Sequence, residues 1–130
     1  ILNGSFIFAA DLMREIELSA QISFVKLASY VGTSSTGSVC EMIGLNVDIS
    51  GRDVVVVEDI VDSGLTMKYV TEMLAKYNPR SISICTLLLK PGDLDIPYKC
   101  FSIPNDFILG YGLDYDGYGR NTRDIYTVVE

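Results

Sequence analysis

Residues 54–67 read VVVVEDIVDSGLTM. Four valines run directly into Glu58 and Asp59, a third acid follows at Asp62, and then come Ser63, Gly64, Leu65 and Thr66. A short β-branched run such as 53–57 suits a strand buried on both faces of a parallel sheet. Beyond the acidic turn, Met67, Val70, Leu74 and Tyr77 recur at helical spacing and Asn78-Pro79 ends the stripe, so a helix is expected over 65–77. Residues 81–89, SISICTLLL, read as a second buried strand. Strand, helix and strand in that order predict a right-handed βαβ unit, and with it an α/β fold with a mainly parallel central sheet flanked by helices.

The flanks extend this pattern. Asn3-Gly4-Ser5 is a turn and helix-start signal, and Phe8, Leu12 and Ile16 then share one face of a helix over 5–16. Residues 22–30 (ISFVKLASY) and 39–45 read as strands joined by the small, polar run VGTSSTGS at 31–38, a hairpin with a mobile loop at its tip. Further strands are expected at 99–103 and 125–129. The chain opens ILNGSFIFAADLM, as though at the last residues of a strand just before a turn. An N-terminal segment that completes the sheet is therefore expected before Ile1, with 1–130 forming a single domain.

Composition narrows the function. Lys and Arg total 10 against 17 Asp and Glu, a net charge of −7, which argues against a general nucleic-acid or anionic-membrane binder. An anionic small molecule remains compatible, because backbone N–H groups or a bound cation can hold phosphate on an acidic protein. The three cysteines, Cys40, Cys85 and Cys100, show neither a disulfide framework nor zinc-ligand spacing. The absence of histidine excludes histidine-based triads and histidine metal sites. No apolar run is long enough to span a bilayer, and a cytoplasmic setting is expected.

In open α/β sheets ligands bind outside the carboxyl ends of the strands, which is where the sequence puts 58–66. Gly64 allows close backbone approach, helix-start N–H groups attract an anion, and Ser63 and Thr66 add hydroxyls: the parts of a phosphate cradle. Carboxylates would repel that phosphate, so Glu58 and Asp59 need another partner. The vicinal hydroxyls of a ribose fit, and so does a Mg²⁺ shared with the ligand. The alternative is a pair of solvated acids capping a strand. A cradle beside a diol clamp describes a sugar phosphate. It is neither a Walker loop nor a GxGxxG fingerprint.

VVVVEDIVDSGLTM resembles the phosphoribosyl-pyrophosphate (PRPP) motif of type I phosphoribosyltransferases. LNGSFIFAADL, SFVKLASY, GTSSTG, LLLKP and IPNDFILGYGLDYDGYGRN, in that order, resemble the hypoxanthine-guanine phosphoribosyltransferase family in its bacterial form, over essentially the whole chain. The resemblance implies a type I phosphoribosyltransferase fold and a Mg²⁺-dependent reaction of PRPP with a 6-oxopurine, giving nucleotide and pyrophosphate. It implies that Glu58 and Asp59 hold the ribose hydroxyls, directly or through metal, and that Asp62 is the general base at the purine N7, where an ordinary reading is a helix N-cap. Asp62, Ser63, Gly64, Leu65 and Thr66 match the 5′-phosphate loop; Leu65 stands where some relatives carry Lys. Lys90 matches the lysine that bonds the purine 6-oxygen, Phe107 the stacking aromatic and Ile108 the residue whose backbone meets the base edge. Without the resemblance these read as a surface lysine and two core residues. Asp114 matches a metal- and pyrophosphate-side carboxylate that also counts among the purine contacts, so that Glu58, Asp59 and Asp114 are the implied metal ligands. Arg120, Asn3 and Gly4 match the pyrophosphate contacts, with Asn3 where many relatives carry Lys and with an unusual cis peptide often found at that turn. Ser29 and Tyr30 open the loop that closes over the site.

A homodimer or homotetramer is implied by the resemblance alone, with small-molecule substrates and neither nucleic acid nor membrane as partner. Two other readings stay open: a non-catalytic nucleotide- and RNA-binding regulator on the same fold, and a transferase that prefers xanthine or a pyrimidine.

Overall fold

The chain runs α1 (Phe6–Glu15), β1 (Lys26–Tyr30), β2 (Ser38–Ile43), β3 (Asp53–Val61), α2 (Leu65–Ala75), β4 (Ser81–Leu89), β5 (Tyr98–Ser102), β6 (Ile108–Leu109) and β7 (Tyr126–Thr127). The computed structural model describes residues 1–30, 38–92 and 94–129. β3, β4 and β5 lie side by side in that order and run parallel, in register from Asp53↔Ser81 to Val61↔Leu89 and from Cys85↔Tyr98 to Leu89↔Ser102. The expected strand, helix and parallel strand are thus present.

One helix covers each face of this sheet. Met67, Val70, Met73 and Leu74 of α2 are buried against Val56, Val61 and Ile96, and each such side chain contributes about 1.5–3 kcal/mol of apolar burial. The helix ends at Ala75, and Tyr77, expected on its buried stripe, is half exposed. On the other face Phe8 of α1 packs with Leu87, Leu88 and Leu113, supported by Leu12. Ile16 caps α1 from outside it and is largely exposed.

Three expectations shift. β3 does not stop at Val57. It continues through Glu58 and Asp59 to Val61, so the acidic pair sits inside the strand and the turn shrinks to 62–64. The alternation of faces breaks at that pair. Val54 and Val56 face the α2 core and Val57 the α1 core, whereas Ile60 faces α1 and Val61 faces α2. The backbone N–H of Asp59 donates to Glu58 Oε1 at 3.1 Å and that of Ile60 to Asp59 Oδ1 at 2.8 Å. These local side-chain acceptors compete with the ladder.

The strand expected over 22–30 begins only at Lys26, where a partner is present: Leu2 bridges to Lys26 in parallel and β2 pairs with β1 in antiparallel fashion. Ile22 and Phe24 alternate but lie exposed, and backbone groups without a partner strand form no ladder. The strand expected over 125–129 is reduced to β7, which pairs antiparallel with β6 through Ile108↔Thr127 and Leu109↔Tyr126. The loop expected over 31–38 lies outside the described residues apart from Ser38. Ser29 and Tyr30 end β1, opposite Val39 and Ser38.

Candidate active site

At the carboxyl end of β3 the chain turns through Asp62-Ser63-Gly64 into α2. Gly64 takes φ +82°, a left-handed conformation that favours glycine, and it occupies the N-cap position. Gly64 offers no side chain to cap the helix, and only the Leu65 N–H is met by a neighbouring hydroxyl, so the positive end stays largely open to an anion. Ser63 Oγ lies 3.3 Å from the Leu65 N–H, Leu65 is half exposed and Thr66 is partly buried in the first turn. A hollow of about 640 Å³ opens beside this turn, walled by Ser63, Gly64, Lys68, Pro91 and Leu94. Asp62 is not the N-cap. Its side chain borders the same hollow and is 66% exposed, with Oδ2 3.6 Å from Lys90 Nζ.

Lys90 follows β4. Its N–H donates to the Val61 carbonyl at 2.9 Å, which continues the parallel ladder and fixes the side chain beside the acidic turn. That side chain is only 12% exposed, so Lys90 is no surface lysine. Its ammonium stands 5.8 Å from the ring centre of Phe107. Phe107 is 76% exposed, which overturns the core reading for it. Ile108, one residue on, is half buried in β6 and packs against the α1 core. The result is an exposed aromatic ring with a partly desolvated cation 5.8 Å above its centre and a carboxylate beside that cation.

A second group gathers around the first residues. Ile1 N donates to the Val57 carbonyl at 2.8 Å, which holds the Asn3-Gly4 turn against β3. The Leu2–Asn3 peptide is cis, as the resemblance implies. Asn3 is exposed, whereas Gly4 is pressed so closely on the Asp59 carboxyl that a Cβ there would stand 2.7 Å from Asp59 Cγ. On the far side a Cβ on Gly112 would lie 2.5 Å from the Gly4 carbonyl oxygen. Arg120 donates to the Gly112 carbonyl at 2.8 Å and pairs with Asp114 at 3.2 Å, and Asp114 also accepts from the Gly117 N–H at 2.8 Å. Arg120 is therefore a braced guanidinium rather than a free loop arginine. Glu58 is buried, 6% exposed. Burial first, and then the Asp59 carboxyl beside it, hold Glu58 far above the ordinary carboxylate range.

Residues 1–116 match the family model described as phosphoribosyl transferase domain. The chain is 47% identical over 133 aligned positions to a hypoxanthine-guanine phosphoribosyltransferase of Mycobacterium avium, covering 98% of this chain and 66% of the relative. It is 46% identical over 120 positions to the hypoxanthine phosphoribosyltransferase of Escherichia coli, covering 88% of this chain and 67% of the relative. Among solved structures, a hypoxanthine-guanine phosphoribosyltransferase of Bacillus anthracis with a HEPES molecule in its active site superposes with a TM-score of 0.92 at 43% identity, over 98% of this chain and 78% of that one. The chain belongs to the hypoxanthine-guanine phosphoribosyltransferase family. It spans about two thirds of the length of the curated relatives it matches.

Family membership makes Mg²⁺ the implied metal. Among the described residues no three His, Cys, Asp or Glu side chains cluster closely enough to hold a metal, so Glu58, Asp59 and Asp114 do not close into one three-carboxylate cage. The donors still fit Mg²⁺, which keeps several waters and is commonly held by one or two carboxylates together with substrate phosphates. Burial, and then the Asp59 carboxyl beside it, push Glu58 toward its neutral form, and a cation held by this pair would relieve both effects. Sequence reasoning missed Gly112, the residue against which the Asn3-Gly4 turn rests. The only signal for it is the GYG triplet at 110–112.

Proposed function

We propose that the protein transfers the 5-phosphoribosyl group of PRPP to a 6-oxopurine, hypoxanthine or guanine, giving IMP or GMP and pyrophosphate. The observation that carries this reading is the slot formed by Phe107, Lys90 and Asp62. A 6-oxopurine presents its O6 acceptor and its N7 side by side on one edge. A base stacked on Phe107 sets O6 against the Lys90 ammonium and an N7–H against the neighbouring Asp62 carboxylate. Adenine would bring an amino donor against the ammonium, and two facing donors leave both groups unsatisfied.

The remaining groups divide the rest of the substrate. The open N-terminus of α2, with Ser63 and Thr66, takes the 5′-phosphate. Asp59, with Glu58 behind it, takes the ribose hydroxyls. Arg120 and the Asn3-Gly4 turn take the pyrophosphate, with Asp114 holding the guanidinium in place. As the bond from the purine N9 to the ribose anomeric carbon forms, the bond from that carbon to the pyrophosphate oxygen breaks. Pyrophosphate leaves with the electron pair and the N7 proton passes to Asp62. Bound Mg²⁺ would neutralise the charge that develops on the leaving group. Ser29 and Tyr30 lead into the segment assigned to closing over the site and excluding water. Under the same reading the protein works in the cytoplasm as a homodimer or homotetramer.

The test is Asp62→Asn. It removes the base and keeps the shape, so kcat should fall about 10²–10⁴-fold while PRPP binding, measured by calorimetry, stays close to wild type. Unchanged kcat would overturn the assignment.

A further inference from the structure

Gly110, Tyr111 and Gly112 all take positive φ, at +101°, +49° and +98°. A tyrosine in the left-handed region is disfavoured by about 1–2 kcal/mol, so something must hold it there. Part of the hold is backbone: Tyr111 N–H donates to Thr122 O and Gly112 N–H to Arg120 O, both at 2.9 Å. The rest is the side chain. The Tyr111 hydroxyl donates to Asp11 Oδ2, 100 residues away on the second turn of α1. Burial, and then the Asp11 carboxylate, push the phenol up to about 12, so it remains a neutral donor. The pair borders an open hollow lined on its apolar side by Phe8, Leu12, Leu87 and Phe101, and the bond itself lies at the surface.

This contact joins two elements that carry separate parts of the site. α1 grows directly out of the Asn3-Gly4 turn, and Gly112 presses on the Gly4 carbonyl while also receiving Arg120. The turn and the 110–120 loop are thus braced twice, at Gly4 against Gly112 and two helical turns further on at Asp11 against Tyr111. We propose that Tyr111 and Asp11 are positioning residues that set the spacing between the Asn3-Gly4 turn and Arg120, and so the fit of the pyrophosphate end of PRPP. Neither touches substrate. The assignment rests on the transferase reading above.

The experiment compares Tyr111→Phe, Asp11→Ala, Asp11→Asn and the Tyr111→Phe/Asp11→Ala double variant. Losing one hydrogen bond to a charged acceptor should raise the PRPP KM, and the Kd for Mg-pyrophosphate measured by calorimetry, about three- to tenfold. The purine KM should not move. Asp11→Asn keeps an acceptor oxygen and should restore most of the affinity, and the double variant should be no worse than either single one. A merely structural role would lower kcat, purine affinity and melting temperature together, and that pattern overturns the proposal. So does an unchanged PRPP KM in Tyr111→Phe. If the wild type itself turns over no base, the transferase reading fails, whereas wild-type turnover with no split between substrates sinks this inference alone.

Discussion

Gly4→Ala tests the geometry of the site at its tightest point. The new Cβ would stand 2.7 Å from Asp59 Cγ and closer still to Oδ2, so the carboxyl must turn aside. Turning breaks the bond from the Ile60 N–H to Asp59 Oδ1, worth about 1 kcal/mol net at a half-buried site. An off-rotamer side chain adds about 0.5–1.5 kcal/mol. The fold should therefore lose about 1.5–2.5 kcal/mol and stay folded. Binding loses as much or more. A carboxylate turned away from a ribose hydroxyl forfeits a charge-assisted hydrogen bond of about 1.5–3 kcal/mol, which at about 1.4 kcal/mol per decade is a ten- to hundredfold rise in PRPP KM. The purine KM should be unchanged, because Lys90 and Phe107 are untouched. Asn3→Ala in the same turn, where the side chain is exposed, should stay within about threefold of wild type, a difference of under about 1 kcal/mol. Steady-state kinetics varying PRPP at saturating hypoxanthine, with a thermal melt of each variant, decides the matter. A folded Gly4→Ala enzyme with wild-type PRPP KM would refute the placement of Asp59 on the ribose.

Lys90→Ala should raise the hypoxanthine KM about tenfold or more, as expected for a charged hydrogen bond lost from a partly desolvated site, and should narrow the preference over adenine; an unaltered purine KM would return Lys90 to a structural role. Glu58→Gln should alter stability in a pH-dependent way. The folded state raises the Glu58 pKa, so its contribution is fully present below the ordinary value of 4.5 and is lost as pH climbs toward the raised one. The neutral variant escapes that loss: its melting point should match wild type near about pH 4 and exceed it by several degrees near about pH 8. An equal difference at both pH values would contradict the account.

The β3–α2–β4 core was legible because its signals agree. Valine runs, a helical stripe and Asn78-Pro79 all point the same way, and the structure returns β4 over 81–89 as read. The acidic pair was misplaced outside the strand because Glu and Asp are poor strand formers; their side chains compensate by accepting the N–H groups of Asp59 and Ile60. Lys90 and Phe107 carried no pattern of their own. A lysine at a strand end and a phenylalanine beside isoleucine look ordinary until the fold brings them within 5.8 Å of each other. The contact from Tyr111 to Asp11 spans 100 residues, and no local periodicity reports a pair so far apart. Ile22 and Phe24 alternate like a strand but find no partner, since alternation sets the face of a strand and pairing makes the ladder.

The central claim is the chemistry of the slot between Phe107, Lys90 and Asp62. The most direct measurement is nucleotide formation by the protein with PRPP, with and without Mg²⁺, offering hypoxanthine, guanine, xanthine, adenine and uracil in parallel. The account predicts turnover of hypoxanthine or guanine that is lost without Mg²⁺, with adenine and uracil rejected. Turnover of adenine or uracil in preference to the 6-oxopurines would contradict the pairing of Lys90 with O6. Nucleotide binding without turnover of any base would make the protein a non-catalytic binder on this fold.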